Sequence, residues 1–213
     1  PGLERIRLSS VEFKTLSDDV LEQMADPKNK LVPYLHLPVQ SGSDSILRKM
    51  GRHYTAAEAQ RFIDRVAHYI SDVGLGTDLM VGFPGESDED FTASVHFLRE
   101  TALHYAHIFS YSRREGTPAD GMEGQFIAKN EIARRSKVLR MVSGEKHRQF
   151  LEQRIGQVEE VLFEDREAFG FPGLTANYIR VFVPDTREDL TNQLRKVRLL
   201  KNCGTFMEGE IIP

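Results

Sequence analysis

Two polar residues, Gln40 and Ser41, end the strand-like run of residues 34–39 and precede a short helical pattern. A strand that ends in amide and hydroxyl groups before a helix presents both side-chain and backbone donors to a ligand. Gln40 and Ser41 therefore suit hydrogen bonds to a ribose or an amino-acid moiety. The alternative is an ordinary loop whose Ser43 and Asp44 only cap the helix that follows.

A second chemically unusual segment ends the apolar run of residues 76–82. It consists of Val81, Gly82, Phe83, Pro84 and Gly85. Glycines on both sides of this Phe-Pro pair let the backbone turn sharply and approach a flat ligand closely. Asp78 lies inside the same run, where a carboxylate is costly to bury unless it is hydrogen-bonded or functional. A structural turn would explain the glycines without a ligand, but it would not explain Asp78.

Arginines lie beyond two of these strand-like runs. Arg52 follows a short helix and is placed to reach back over the strand ends to a carboxylate, which a planar guanidinium binds well. Arg113 and Arg114 follow the run of residues 104–111 and precede a turn at Gly116. For each arginine an ordinary exposed side chain is the simpler alternative. Three consecutive strand ends with polar chemistry nevertheless favour a ligand site.

The elements that must position these residues alternate between strand and helix patterns over the first 120 residues. Strands are expected over residues 5–9, 34–39, 76–82 and 104–111. Helices are expected to begin after Ser17, Thr55 and Ser87, which are suitable N-cap residues. This alternation predicts parallel strands joined by helical crossovers, either in an open sheet or in part of a barrel. In both folds ligands bind at the carboxyl ends of the strands.

After residue 120 the alternation of strand and helix patterns ends. Residues 121–128 read as a linker, residues 130–152 as a helix, and the residues from 155 onward as short β-strands. Turns between those strands are expected at Gly170, Pro172, Gly173, Asn192 and Gly204. We therefore expect three parts: residues 1–120, residues 121–154, and a small antiparallel β domain over residues 155–213.

Positive charge is concentrated in the middle part. The whole chain has a net charge of -4, but residues 129–154 contain eight Lys or Arg against three Asp or Glu, a net of +5. The candidate RNA-binding residues in this helix are Lys129, Arg134, Arg135, Lys137 and Arg140. An ordinary solvated helix face and a surface that follows a phosphate backbone are both open on charge alone.

Composition excludes several classes of protein. With 40% hydrophobic and 28% charged residues the chain is globular and not disordered. Cys203 is the only cysteine, so neither a disulfide framework nor a cysteine-ligated zinc or iron–sulfur site can form within this chain. There is no apolar run long enough to cross a bilayer, and we expect a cytoplasmic protein without a membrane partner. The start, which lacks Met and opens directly into a strand-like segment, is expected to be that of a fragment.

Three motifs occur in the order LHLPVQSGSDSILRKMGRHYT, TDLMVGFPGESDEDF and FSYSRREGTPA, preceded by RIRLSSVE. Together they resemble consecutive stretches of the radical S-adenosylmethionine methylthiotransferases. The resemblance covers residues 5–119 and continues through the basic helix into a module similar to the TRAM domain, an RNA-binding β-barrel, matched here by GLTANYIRVFV and GEII. The stretches HIFSYSRREGTPA and GLTANYIRV are most similar to the branch that methylthiolates N6-threonylcarbamoyladenosine at position 37 of tRNA. Two other branches modify isopentenyladenosine in tRNA or an aspartate of a small-subunit ribosomal protein.

The resemblance implies an α/β fold: a partial radical-SAM (β/α) barrel of parallel strands, then a basic helix and a small TRAM-like β-barrel. It implies S-adenosylmethionine and two [4Fe-4S] clusters as cofactors and tRNA as partner. Family members hold one cluster on a CxxxCxxC loop and the other on three cysteines of an N-terminal domain, and this chain has neither set. We therefore expect the C-terminal part of such an enzyme, inactive without the part that binds the clusters.

The resemblance also implies roles for the residues at the strand ends. S-adenosylmethionine would be bound by Gln40, Ser41, Arg52, Asp78, Val81, Gly82, Phe83, Pro84, Gly85 and Arg114. Gln40 and Ser41 would contact its ribose or methionine part, Arg52 would lie near its carboxylate, and the backbone of residues 81–85 would flank its adenine. Glu12 is a weaker candidate. The basic helix and the β domain would hold the tRNA.

Two other functions remain open on the sequence. The chain could be an RNA-binding fragment in which the strand–helix part is only a scaffold. It could instead be a small hydrolase or isomerase that needs no cluster, but such an enzyme requires a nucleophile next to a base. The histidines nearest the strand ends, His36, His53 and His107, have no triad-like neighbour in sequence and are expected to be structural.

Overall fold

The computed structural model describes residues 2–184 and 188–212 and shows an α/β unit followed by a β-barrel. The α/β unit begins with a turn of 3-10 helix at Phe13–Thr15. Its helices and strands are α1 Asp18–Ala25, β1 Tyr34–Gln40, α2 Asp44–Lys49, α3 Ala56–Tyr69, β2 Gly74–Val81, α4 Asp88–Glu100 and β3 Tyr105–Ser110. A long helix, α5 Lys129–Glu152, leads to the barrel strands β4 Val158–Phe163, β5 Gly170–Thr175, β6 Arg180–Pro184, β7 Leu194–Asn202 and β8 Met207–Ile211.

Local sequence signals fix the beginnings of the two longest helices of the α/β unit. Thr55 accepts a hydrogen bond from the backbone N–H of Glu58, whose carboxylate returns one to the N–H of Thr55. Ser87 and Asp90 form the same reciprocal pair at the start of α4. Each pair satisfies backbone donors that the first helical turn leaves without a partner. These helix starts were predicted from the sequence and are confirmed.

Strands β1, β2 and β3 form a parallel sheet in that order. Alternate residues of each strand, such as Leu35, Leu75 and Ile108, pack into the core beneath helices α3, α4 and α5. The opposite face carries polar and aromatic side chains and has no helix against it among the described residues. Because the helices cover one face only, side chains such as His107 and Phe109 remain exposed on the other face.

The barrel is closed, with strand order β4-β5-β6-β8-β7, and it has its own core around Val161, Phe163 and Phe171. All neighbouring strands are antiparallel except β6 and β8, which are parallel. Closure leaves no unpaired sheet edge, because each strand pairs on both sides. The expected antiparallel β domain is therefore a five-stranded barrel with one parallel pair.

Helix α5, about 36 Å long at 1.5 Å per residue, packs against the edge strand β3, and its last turn enters the core of the barrel. Ser143 accepts a hydrogen bond from Ala106 N at 2.8 Å and donates one to Ala106 O at 2.9 Å, so that it bonds the free edge of β3. Lys146 donates to the carbonyl oxygens of Arg99 and Thr101 at the end of α4. A cation there is favourable because it meets the negative end of the helix dipole.

The barrel packs against the amino ends of the sheet strands. Arg154, after α5, forms an ion pair of 2.6 Å with Asp72, which precedes β2. Asn177 in the β5–β6 turn donates to Asp72 O, and a Cβ added at Gly74 would lie 2.1 Å from the Asn177 carbonyl oxygen. Glycine at position 74 is therefore required by the close approach of the two parts.

Two expectations from the sequence were wrong. Residues 5–9 do not form a strand: only Ile6 bridges to Leu31, because the backbone turns away at Ser10, which has a φ of 53°. Gly170, Pro172 and Gly173 were expected in turns but belong to β5. A Cβ at Gly173 would lie 2.6 Å from Val161 Cγ1, so this glycine admits a neighbouring strand and does not mark a turn.

None of the helices among the described residues is both long and apolar enough to span a membrane.

Candidate functional site

The loop after β1 presents Gln40 but not Ser41 to the carboxyl edge of the sheet. Gln40 is half-buried with a φ of 75°, at an irregularity in the β1–β2 pairing, and its side-chain amide has no hydrogen bond to any described residue. The Ser41 hydroxyl is fully buried, bonds the Ser94 hydroxyl at 3.2 Å and accepts from Ser43 N at 3.1 Å. Ser41 therefore ties the loop to α4, and its hydroxyl has no exposed surface for the ligand contact expected from the sequence.

Arg52 lies beside the same strand end. Gly51, with a φ of 72°, reverses the chain after α2, and Arg52 N bonds Leu47 O at 2.8 Å. The guanidinium is half-buried and makes no hydrogen bond or ion pair with a described residue. Next to it, Tyr54 donates from its hydroxyl to the carbonyl oxygens of residues 38 and 39. Burial raises the pKa of Tyr54, and the charge of Arg52 acts in the opposite direction.

The Gly-Phe-Pro-Gly loop after β2 is held rigidly by the protein. Both glycines have positive φ, 76° at Gly82 and 75° at Gly85. A Cβ at Gly82 would lie 2.5 Å from Ile132 Cγ1 on α5, and one at Gly85 would lie 2.6 Å from Gln125 Oε1. At Gly82 both the backbone conformation and the packing against α5 therefore demand glycine. At Gly85 the backbone conformation demands it, since the nearby atoms are the ends of the flexible Gln125 and Lys49 side chains. The remaining loop positions, Val81, Phe83 and Pro84, are buried.

A buried carboxylate, that of Glu86, links this loop to helix α5. Its Oε2 accepts from Gly82 N at 2.8 Å and from the Arg135 guanidinium at 2.7 Å, and the side chain has no exposed surface. Burial raises the pKa of Glu86, against the lowering effects of the Gly82 hydrogen bond and of Arg135. Its Oε1 has no hydrogen-bond partner among the described atoms. Glu86 was not among the site residues predicted from the sequence, although it directly follows the predicted loop.

The two arginines after β3 differ in their surroundings. Arg113 is paired with Asp120 and lies 4.8 Å from the centroid of the Phe126 ring. Arg114 is exposed, and its guanidinium has no hydrogen bond or ion pair to any described residue. Gln40 and Arg52 at the carboxyl end of β1, and Arg114 after β3, thus carry donors that no described residue occupies. Glu12, the weaker candidate, is exposed.

The basic residues of α5 are not one continuous surface. Arg135 is 4% exposed and its guanidinium bonds Glu86, Asp88 and Glu131. Arg134 forms a two-bond pair with Glu131 at 2.8 and 2.7 Å. Arg135 is therefore not available to RNA, and a carboxylate already neutralises Arg134.

The other three candidates on α5 remain accessible. Arg140 is exposed but donates to Ile108 O at 2.7 Å. Lys129 and Lys137 are exposed, and no described residue bonds their ammonium groups. Of the five candidate residues on this helix, the two lysines are thus the most free to meet a phosphate.

Asp78 lies on the open face of the sheet and not at the loops. Its Oδ1 lies 2.8 Å from His36 Nε2 and 3.5 Å from His107 Nδ1. The cost of burying Asp78 was evident from the sequence, but both histidines were expected to be isolated structural residues. The parallel register of β1, β2 and β3 brings the three together. His53, the third histidine considered, accepts from Lys14 through its backbone carbonyl.

The sequence profile described as the radical SAM superfamily matches residues 2–98. This match spans β1, β2 and the two loops that carry Gln40, Arg52 and the Gly-Phe-Pro-Gly turn. Residues 2–98 belong to the radical SAM superfamily. Members of this superfamily use S-adenosylmethionine and iron–sulfur clusters.

Curated relatives match nearly the whole chain. The chain is 34% identical to the threonylcarbamoyladenosine tRNA methylthiotransferase MtaB of Bacillus subtilis strain 168, over 99% of this chain and 47% of that protein. It is 35% identical to the tRNA-2-methylthio-N(6)-dimethylallyladenosine synthase of Lachnoclostridium phytofermentans, over 99% of this chain and 46% of that protein. The synthase of that name from Mycobacterium sp. strain MCS is 48% identical over 58% of this chain and 23% of that protein. The chain thus spans about half the length of the relatives that match it throughout.

Among solved structures, the chain is similar to coproporphyrinogen III oxidase (HemN) of Escherichia coli, described as a radical SAM enzyme. The TM-score is 0.48 at 12% identity, over 98% of this chain and 52% of that one.

Proposed function

We propose that this chain is part of a radical S-adenosylmethionine tRNA methylthiotransferase, with the cofactor at the carboxyl ends of β1–β3 and RNA on α5 and the barrel. The observation that carries the proposal is the alignment of 99% of the chain with MtaB of Bacillus subtilis at 34% identity. The relatives named above all modify tRNA with a methylthio group, as their names state. The barrel would then correspond to the TRAM domain and the α/β unit to half of a radical-SAM barrel.

The residues at the strand ends fit S-adenosylmethionine. Its hydroxyl groups and carboxylate need hydrogen-bond donors, and the side chains of Gln40, Arg52 and Arg114 supply an amide and two guanidinium groups that no described residue occupies. The Gly-Phe-Pro-Gly turn offers a rigid backbone wall. When bound, S-adenosylmethionine supplies radical chemistry at an unreactive C–H bond; this chain's residues would bind and orient it.

The iron–sulfur clusters do not fit the residues present. Ligation of a [4Fe-4S] cluster needs several cysteine thiolates, and Cys203 is the single cysteine of the chain. It follows β7 in the barrel, far in sequence from the strand ends. We therefore propose that the 213-residue chain has no radical activity alone and that the longer protein supplies both clusters.

The substrate we propose is N6-threonylcarbamoyladenosine at position 37 of tRNA. The stretches HIFSYSRREGTPA and GLTANYIRV support this branch, whereas the full-length matches to MtaB and to the dimethylallyladenosine synthase of Lachnoclostridium phytofermentans are equal in coverage and nearly equal in identity. The test is nucleoside mass spectrometry of tRNA from a strain that lacks the gene encoding this chain (the parent gene). We expect loss of the 2-methylthio form of threonylcarbamoyladenosine and its return with the intact gene. Loss of the dimethylallyladenosine form instead would refute this branch, and an unchanged methylthio-nucleoside profile would refute the activity.

Arg52 offers a sharper version of that test. In the parent gene, Arg52→Gln removes the guanidinium next to the expected cofactor carboxylate, and we expect less methylthio-nucleoside than with the unchanged gene. Arg48→Gln is the matched control, because Arg48 lies on α2, four residues before Arg52, and is exposed. Equal loss of product in both variants, at equal protein levels, would contradict the role of Arg52.

The RNA surface can be tested on the chain itself. Lys137→Gln should weaken tRNA binding and reduce the slope of log K against log salt by about 1, as expected for one lost phosphate contact. Lys28→Gln, in the loop before β1, is the control and should leave the slope unchanged. Full tRNA binding by the chain without any methylthio product from the parent protein would favour the second function, an RNA-binding fragment, which the separate core of the barrel also permits.

A further inference from the structure

The open face of the parallel sheet carries three potential metal ligands on three adjacent strands. His36 on β1 is in register with Gly76, and Asp78 on β2 is in register with His107 on β3. Because side chains two residues apart point to the same side of a strand, Asp78 lies one step along the same face from Gly76. The fold therefore places one imidazole on each side of a central carboxylate.

The distances between these groups suit a shared cation. His36 Nε2 and His107 Nδ1 lie 2.8 Å and 3.5 Å from Asp78 Oδ1, and the three ligand atoms are all within 4.8 Å of one another. Ligand atoms at bond lengths of about 2.0–2.2 Å in a tetrahedral site stand roughly 3.3–3.5 Å apart. Small side-chain rotations would thus bring all three atoms into a first coordination sphere.

A hydrogen bond alone accounts for only part of this arrangement. Asp78 uses one oxygen, Oδ1, for both histidines, and its Oδ2 has no hydrogen bond to any described residue. A carboxylate in the middle of a parallel strand is costly unless its charge is balanced. No Lys or Arg forms an ion pair with Asp78 in the described part of the chain. A divalent cation would supply that balance.

The cluster is also accessible from one side. It borders a cleft of about 290 Å³ whose lining includes Arg7, Ser9 and Ser10 from the segment that precedes β1. The His36, Asp78 and His107 side chains are 9%, 19% and 60% exposed. Tyr34 and Tyr105, with their hydroxyl oxygens 2.5 Å apart, also line the cleft, at the amino ends of their strands. A metal ion would thus keep a coordination position open toward solvent.

We propose that His36, Asp78 and His107 bind one divalent transition-metal ion of the Zn²⁺ class. Two neutral imidazoles and one carboxylate suit Zn²⁺, Co²⁺ or Fe²⁺, whereas Mg²⁺ and Ca²⁺ prefer a sphere of oxygen ligands. Three protein ligands with an open position are typical of metal sites that bind an exchangeable ligand. The proposal is independent of the function proposed above, because it needs neither S-adenosylmethionine nor cysteine.

The test is metal binding to the 213-residue chain that carries Cys203→Ser, so that no thiolate contributes. Calorimetric titration with Zn²⁺ should show one saturable site, unaffected by excess Mg²⁺, and Co²⁺ should give visible absorption bands of a nitrogen- and oxygen-ligated ion. His107→Gln and Asp78→Asn should each weaken binding by at least about tenfold, since loss of even an outer partner of a metal ligand commonly has that effect.

His96→Gln is the matched control, because His96 is an exposed histidine that also has a carboxylate neighbour, Glu100 at 4.0 Å. Its binding should equal that of the parent chain. Circular dichroism of every variant checks that the fold is intact, and Zn²⁺ should raise the melting temperature of the parent chain but not that of Asp78→Asn. No saturable site in the parent chain, or equal affinity in all variants, would overturn the proposal.

Discussion

Replacing Arg135 by Met tests the idea that α5 holds the Gly-Phe-Pro-Gly loop through one buried ion pair. The Arg135 guanidinium donates to the Glu86 carboxylate at 2.7 Å and to the Glu86 backbone oxygen at 3.0 Å. It also bonds Asp88 and Glu131, each at 2.8 Å. Met fills a similar volume without charge, so that the main loss is electrostatic.

The expected magnitude follows from burial. The Arg135 side chain is 5% exposed and that of Glu86 is 0% exposed. Removing one partner of a buried pair costs about 3–5 kcal/mol, because an uncompensated charge remains inside the protein. Glu86 keeps its hydrogen bond from Gly82 N and can take up a proton. We therefore expect the lower end, about 3 kcal/mol of unfolding free energy at pH 8.

The pH dependence has a definite sign. Burial already raises the pKa of Glu86, and loss of Arg135 removes an influence that lowers it, so the pKa rises further in the variant. Between the unfolded pKa and the folded pKa the folded state binds more protons, and stability falls as pH rises. The difference between parent and variant should therefore be largest at about pH 8 and should shrink toward about pH 5.

Urea unfolding followed by circular dichroism at both pH values measures this difference. The matched control is Arg134→Met, the adjacent residue with the same substitution, because its solvent-exposed pair with Glu131 contributes little to stability. The double variant Glu86→Gln with Arg135→Met should be more stable than Arg135→Met alone at pH 8. Equal destabilisation by Arg134→Met and Arg135→Met, or a deficit independent of pH, would refute the reasoning.

Two further predictions concern single residues. Gly82→Ala should lower the unfolding free energy by about 3 kcal/mol, because of the left-handed φ of residue 82 and its contact with Ile132. Gly124 has the same φ of 76° but open space around it, so Gly124→Ala should cost only about 1 kcal/mol. Similar losses for the two variants in urea unfolding would contradict this prediction. Burial lowers the pKa of His104, which stacks on Phe150 with ring centroids 3.8 Å apart, to about 3. Only the unfolded state then binds that proton between about pH 6.5 and pH 3, so stability should fall as pH drops through this range, and the His104 ring should show no NMR titration between about pH 5 and pH 8; a titration there would contradict the burial argument.

Local signals in the sequence located the elements well because short-range physics determines them. Thr55 and Ser87 cap helices through residues three positions away, so the whole interaction lies within one turn. The barrel strand that contains Gly173 escaped prediction because its glycine serves a partner, Val161, on another strand. Nothing near Gly173 in sequence distinguishes a glycine in a turn from one that admits a neighbouring strand.

The candidate site was likewise predictable only in part. The positions of the strand-end loops followed from the order of strands and helices, but the partners of the charged residues did not. In the sequence Arg135 is one of several basic residues of a predicted helix. Its carboxylate partner, Glu86, lies in a loop 49 residues earlier. The cluster around Asp78 likewise depends on the register of three strands, which the sequence alone does not specify.

The barrel and the candidate cofactor loops lie at opposite ends of the sheet strands. The barrel contacts Asp72 and Gly74 at the amino ends of the strands, whereas Gln40 and Arg52 lie at the carboxyl ends. Under the proposed function, RNA on the barrel and a cofactor at the strand ends would therefore be separated by the length of the strands. Asp78 and its two histidines lie between these two ends on the open face of the sheet, so the proposed metal ion would lie between the RNA and the cofactor.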